Sequence, residues 1–192
     1  HNAGWEKIVI SAVNSPARQH LQGQSVAQGA RAAGADPFEW AMDLLLSERG
    51  AVSIIAGSMN EKNVARFLTL PFAMIGSDGA PRRGRPHPRV YGTFPRVIRR
   101  FVRELRSLTL EEAVRKMTSA SAARLGLPDR GRIQVGRQGD AVLFGPATFS
   151  DTATIEDPCQ QPVGLKAVAE AGRLVVHHEG RLGEVHLARE RL

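Results

Sequence analysis

Pro71-Phe72-Ala73-Met74-Ile75 runs into Gly76-Ser77-Asp78-Gly79, and eleven residues past that aspartate stands Arg89, inside His87-Pro88-Arg89-Val90-Tyr91-Gly92-Thr93-Phe94. A short apolar run that stops at a carboxylate predicts a buried strand with Asp78 at its end. Strand ends at the C-terminal face of a β/α barrel present their chemistry in this way. The glycines on either side let the backbone turn sharply and leave the carboxylate uncrowded. The alternative is an Asp-Gly turn whose carboxylate caps local amides. Spacing alone does not separate the two.

Upstream of this run the elements alternate. Glu6 to Val13 predicts a strand around Ile8-Val9-Ile10, and Ser25 to Ala33 a short helix ending at Gly34. Asp36-Pro37-Phe38-Glu39 is a helix start, with Asp at the cap, Pro at the first position and Glu at the third. Phe38, Met42, Leu45 and Leu46 are the expected inner face of that helix. Val52-Ser53-Ile54-Ile55 is strand-like, and Asn60 caps a helix with Val64, Phe67 and Leu68 as its apolar side. With the run ending at Asp78, this is the strand–helix–strand rhythm of a parallel α/β unit.

Downstream, Gly79 to Gly92 predicts a long loop with three prolines and four arginines, and long loops in compact domains are commonly functional or disordered. Pro95 opens an amphipathic helix in which Phe94, Val97, Ile98, Phe101, Val102 and Leu105 recur at steps of three and four. Thr109-Leu110-Glu111-Glu112 is a capping box; Leu110, Ala113, Val114 and Met117 are the expected inner face. After Gly126, Gly131–Gly136, Asp140–Phe144 and Gly172–Val176 read as short strands, a β-rich appendage.

Composition narrows the function classes. The chain has 192 residues, 42% hydrophobic and 23% charged, ordinary for a globular protein. A complete eight-fold barrel takes about 250 residues, so only part of one fits. No apolar run approaches the roughly 20 residues of a membrane helix, so no membrane partner is expected. The single cysteine, Cys159, excludes an internal disulfide and fits a reducing, cytoplasmic setting. A net charge of +7, with arginines at 82, 83, 85 and 89 and again at 96, 99, 100, 103 and 106, raises the question of nucleic acid. Aromatics are only 5% and no nucleic-acid-binding motif is present. The periodicity of residues 94–105 puts the second cluster on the outer side of a helix, so a solvated basic face is expected instead.

The segment from Met74 to Arg103 closely resembles the N-acyl-D-amino-acid deacylases, the D-aminoacylase branch of the metal-dependent amidohydrolases. It carries Gly-Ser-Asp-Gly at 76–79, His-Pro-Arg at 87–89 and Tyr-Gly-Thr-Phe-Pro-Arg at 91–96 in order. Lys116-Met117-Thr118-Ser119, Ala123-Arg124-Leu125-Gly126-Leu127 and Asp129-Arg130-Gly131-Arg132-Ile133 extend the match. The resemblance implies an α/β fold. Residues 1–126 would be the last strand–helix units of a metal-dependent hydrolase-type β/α (TIM) barrel, and 127–192 part of a small β-domain. Residues 1–50 would include an insertion over the active site. Two departures stand out: Gly139-Asp140 replaces the usual Ala-Asp, and Glu170-Ala171-Gly172 replaces the usual Asn-Gly turn.

The implied activity is zinc-dependent hydrolysis of the amide bond in N-acyl-D-amino acids, small-molecule substrates. By resemblance Asp78 is the general acid/base and a candidate metal ligand. Arg89 matches the arginine that grips the substrate carboxylate, a task suited to a planar two-pronged guanidinium. Met59 matches a methionine that shapes the acyl and side-chain pocket; a core methionine is its alternative. His87 is expected to fix the loop beside Pro88, and Cys159, where many relatives have histidine, not to act as a nucleophile. The family's His-x-His is absent. The six histidines are His1, His20, His87, His177, His178 and His186, and adjacent His177 and His178 would face opposite ways in a strand. The remaining ligands are therefore expected upstream of His1, with this chain the carboxyl-terminal part of a longer enzyme. Two other functions stay open: a hydantoinase- or dihydroorotase-like cyclic amidohydrolase, and a non-catalytic basic binding module.

Overall fold

Strand β1 (Ile8–Val13) buries Ile10 and Val13 and pairs with β2 (Val52–Ala56), Ile8 opposite Ala56 and Val13 opposite Val52. This is a computed structural model, and it describes residues 4–80 and 85–177. The predicted parallel rhythm does not hold: the pair is antiparallel. Two helices, α1 (Val26–Ala33) and α2 (Pro37–Ser47), lie between the strands. A single-helix crossover would have run β2 along β1; the longer connection here, which also holds the 3-10 turn Pro16–Leu21, brings it back against β1.

The helix boundaries follow local chemistry. Ser25 and Gln28 form a reciprocal capping box at the start of α1, and Gly34 ends it at φ 64°, the left-handed conformation that glycine adopts without strain. Asp36 accepts the N–H groups of Phe38 at 2.9 Å and Glu39 at 3.3 Å, as its position before Pro37 predicts. A Cβ at Gly29 would lie 2.3 Å from the Trp40 ring, so a residue without a side chain lets the two helices approach.

The buried side of α2 differs from expectation. Leu44 joins Ile10 and Val13 in the core, with Leu21, Trp40 and Val52 packed against them, while Phe38 and Leu46 are exposed. This helix carries apolar residues on more than one side, and packing against β1 selects the side of Trp40 and Leu44. Asn60 accepts the N–H of Lys62 at 2.9 Å at the head of α3 (Glu61–Thr69), as expected.

The chain divides into two compact units. One comprises His1–Val64, Asp78–Tyr91 and Ala153–Gln160; the other comprises Ala65–Ser77, Gly92–Thr152 and Gln161–Leu192. In the second, the predicted strand at 71–75 is absent: Pro71-Phe72 is a turn, and the segment after it has no ladder partner among the described residues. Lys116 takes the place of a neighbouring strand, as described below.

The helix predicted from Pro95 begins six residues earlier. α4 (Arg89–Arg96) contains Pro95 in its last turn and continues as a π-helical segment, Val97–Glu104. Proline supplies no N–H to a helical ladder, and a shift to the wider repeat accommodates the break. Val97, Ile98 and Phe101 are buried, as their periodicity predicts. The arginines opposite are more than a solvated face. Arg99 binds Asp151 through Nε at 2.6 Å, and Arg103 donates to the carbonyls of Pro146 and Phe149 and to Ser150 Oγ. Hydrogen bonding to Asp151 holds the Arg99 guanidinium even more firmly protonated than usual.

Thr109 accepts the N–H of Glu112 at 3.2 Å and starts α5 (Leu110–Met117); α6 (Ser119–Arg124) follows. Then comes an antiparallel sheet of β3 (Ala141–Phe144), β4 (Leu165–Glu170) and β5 (Arg173–His177), with β4 central. Gly131–Gly136, predicted as a strand, is irregular, and Ile133 and Val135 are exposed. The two departures from the family pattern meet in this sheet. Ala171 (φ 49°) and Gly172 (φ 75°) make the two-residue turn between β4 and β5. Asp140 accepts the N–H of Ala171 at 2.8 Å, and a Cβ at residue 139 would stand 2.8 Å from the Gly172 nitrogen. Gly139 therefore accommodates the turn that replaces Asn-Gly. Among residues singled out from sequence, His1, Arg82, Arg83, His178 and His186 lie outside the described residues.

Candidate active site

Asp78 adopts φ 47°, a left-handed conformation tolerated by Asp better than by most side chains. Its carboxylate is 87% exposed, and Arg89 Nη2 lies 2.9 Å from Oδ2. Arg89 is the first residue of α4 and is itself partly exposed. An ion pair this open to water contributes little to stability, so either partner can leave it for a ligand at small cost. The structure thus brings together the two residues that sequence places first, Asp78 and Arg89.

The loop before Arg89 is held at two points. Ser11 sits at a register shift in β1, between Ile10 and Ala12, and is left out of the ladder with β2. It is buried, and it binds Arg85 twice: the Arg85 N–H donates to Ser11 O at 2.9 Å, and Ser11 Oγ donates to Arg85 O at 2.5 Å. Bulges are found beside functional sites because they re-aim the residue they release. Two residues further on, His87 Nδ1 accepts the Arg89 N–H at 3.0 Å, and the His87 carbonyl accepts the N–H of Val90 at 3.0 Å. With Nδ1 an acceptor, the ring proton sits on Nε2. Burial lowers the His87 pKa from its ordinary value; the Arg89 charge adds to this and the Asp78 charge opposes it.

Met59 is not part of this ion pair. It stands in the connection between β2 and α3 with 81% of its surface exposed. Cys159 is exposed.

Lys116, named from sequence only as part of a matching motif, is wholly buried, a role that sequence reasoning missed. Its Nζ donates to the carbonyls of Leu70 at 2.5 Å and Ala73 at 2.9 Å, with Glu112 Oε1 at 3.4 Å. Its own carbonyl accepts the N–H of Ile75 at 3.2 Å. These bonds pin the segment predicted as a strand, beside which no strand lies among the described residues. Its spacing, three residues past the buried Ala113 and next to Met117, was the available signal. Glu48 was also missed. It is buried at the end of α2 and accepts the N–H groups of Asn14 at 2.8 Å and Ser15 at 2.9 Å, together with Ser15 Oγ. The bond from the Ser15 hydroxyl, then those from the backbone, pull its pKa down to about 2, against the opposing effect of burial.

Among the described residues no group of three or more His, Cys, Asp or Glu side chains is placed to hold a metal ion. Asp78 alone, already paired with Arg89, does not make a metal site. No helix among them is long and apolar enough to cross a membrane.

The amidohydrolase family model matches residues 12–176. The chain belongs to that family. It is 46% identical over 126 residues to D-aminoacylase of Alcaligenes xylosoxydans xylosoxydans, covering 66% of this chain and 26% of that protein. It is 40% identical over 166 residues to N-acyl-D-glutamate deacylase of the same organism, covering 83% of this chain and 33% of the relative. Among solved structures it superimposes on N-acyl-D-glutamate deacylase of Bordetella bronchiseptica, which is complexed with zinc and a phosphonate mimic of the tetrahedral intermediate. That match has TM-score 0.82 and 37% identity, over 90% of this chain and 35% of that one. A D-aminoacylase structure matches with TM-score 0.80 and 36% identity, over 92% and 36%. This amidohydrolase chain thus spans about a quarter to a third of the length of such relatives, and its mixed helices and sheets follow their fold.

Proposed function

We propose that the protein carrying this chain is a zinc-dependent amide hydrolase that removes the acyl group from N-acyl-D-amino acids. Residues 1–126 belong to the late strand–helix units of its β/α barrel and 127–192 to its small β-domain. The observation that carries the reading is the 2.9 Å contact between Asp78 and Arg89. In an N-acyl amino acid the scissile nitrogen and the free carboxylate are bonded to one carbon. A proton-transfer group for the first and an anchor for the second must therefore be neighbours, and these two side chains are.

Arg89 offers a guanidinium whose paired N–H groups match a carboxylate, which orients the substrate. That carboxylate competes with Asp78 for Arg89 and so frees Asp78. Asp78 then takes a proton from the attacking water and delivers it to the departing amine nitrogen. Met59, in the β2–α3 connection, is proposed to contact the substrate side chain or acyl group. Zinc is the proposed cofactor because a solved structure 37% identical to this chain is complexed with zinc. The described residues do not form its site alone, and its further ligands are assigned to sequence outside these 192 residues. The single cysteine fits the proposed cytoplasmic setting.

The test is Asp78→Asn in the full-length protein, assayed on N-acetyl-D-amino acids. The amide keeps the shape but cannot accept the proton, so turnover should fall about 10²–10⁴-fold with the melting temperature unchanged. Near-normal turnover would remove Asp78 from this role.

A further inference from the structure

We propose that His87 is a positioning residue for Arg89, setting the root of the guanidinium through the backbone rather than touching substrate itself. The inference rests on the reading of Arg89 as the carboxylate anchor. His87 takes the first two N–H groups of α4, that of Arg89 on Nδ1 and that of Val90 on its carbonyl, each at 3.0 Å. The first N–H groups of a helix have no partner inside it. A side chain that accepts one of them fixes where the helix begins and the direction its first residue faces.

Here that first residue is Arg89. A long side chain multiplies any error at its root, so an anchor that must meet a carboxylate in two-pronged geometry needs a fixed Cα. The other end of the short segment is equally constrained. Two residues before His87, Arg85 is bonded on both its N–H and its carbonyl to Ser11, and a bulge frees Ser11 from the sheet for that purpose. Buried Pro86 links the two points and adds its own rigid backbone. From β1 to the arginine head the path is Ser11, Arg85, Pro86, His87, Arg89. Each step is a covalent bond or a hydrogen bond within one compact unit.

The experiment uses the full-length enzyme with an N-acetyl-D-amino acid and its methyl ester, which lacks the free carboxylate. His87→Ala removes the acceptor. KM for the acid should rise roughly three- to thirtyfold, the range that losing a helix-start bond implies. The catalytic constant and the KM for the ester should stay within about twofold of wild type, a small change on that same scale. His87→Asn should restore the acid KM, because an asparagine oxygen accepts the N–H two residues on in the same manner.

A His87→Ala variant with unchanged acid KM, or one that weakens acid and ester equally, overturns the proposal. Should His87→Ala not fold, Ser11→Ala loosens the same path one step back. It must raise the acid KM and spare the ester; an unchanged acid KM there overturns the proposal too. Arg89→Lys separates the two levels of the account. If it abolishes the distinction between acid and ester while His87→Ala leaves the acid KM unchanged, only the His87 role falls. If Arg89→Lys leaves the distinction intact, the anchor reading fails and this inference falls with it.

Discussion

Glu48 and Asp78 are both carboxylates that meet an arginine, and the fold treats them in opposite ways. Glu48 is 4% exposed and holds two backbone N–H groups and a serine hydroxyl, with Arg18 at 3.5 Å. Every lone pair has work inside the molecule, and the charge is locked in place by donors around it. Asp78 stands in water on a left-handed residue, with Arg89 beside it. Water competes for its oxygens, so the fold gains little from the charge being there. The carboxylate used for architecture is buried among fixed donors; the one proposed for chemistry is left reachable. Lys116 belongs with Glu48. It is a charged side chain taken wholly inside to hold the carbonyls of Leu70 and Ala73.

That contrast can be broken most forcefully at Lys116. Lys116→Met keeps the bulk but leaves two half-buried carbonyls without their donor, at about 1–3 kcal/mol each. The full-length variant should lose roughly 3 kcal/mol or more in denaturant unfolding, and an unfolding midpoint like that of wild type would show that the buried lysine holds nothing. A smaller effect, confined in pH, is expected at Glu48. Its folded pKa of about 2 lies below its ordinary value of 4.5, so its contribution is complete above pH 4.5 and disappears as pH falls towards 2. Glu48→Gln should therefore melt below wild type at neutral pH, and the gap should close on acidification. A gap that stays constant down to pH 2 would mean that shape, not charge, is what Glu48 supplies.

The parts of the molecule legible in sequence are those decided within a few residues. Asp36 before Pro37, Thr109 before Glu112 and Gly34 after Ala33 each act on neighbours in the chain, and each lies where the sequence puts it. What misled was decided at a distance. The run from Pro71 to Ile75 has the apolar texture of a strand, yet a lysine over forty residues away holds it instead. β4, Leu165-Lys166-Ala167-Val168-Ala169-Glu170, went unseen because its alanines and charges carry little strand preference; it is central because β3 and β5 flank it. In the site, Asp78 and Arg89 were visible through their motifs. Ser11 was not, because a bulge exists only relative to a partner strand.

Whether the protein that carries this chain cleaves the amide of N-acyl-D-amino acids decides between the proposed function and its alternatives. The most direct measurement is release of free amino acid from matched N-acetyl-D- and N-acetyl-L-amino acids by the purified full-length protein with zinc. Turnover of the D substrate is expected, with at most weak turnover of the L substrate and sharply reduced binding once the D substrate's carboxylate is esterified. Absence of turnover on a range of N-acyl-D-amino acids, or hydrolysis of a cyclic amide such as a hydantoin in their place, would contradict the proposed function.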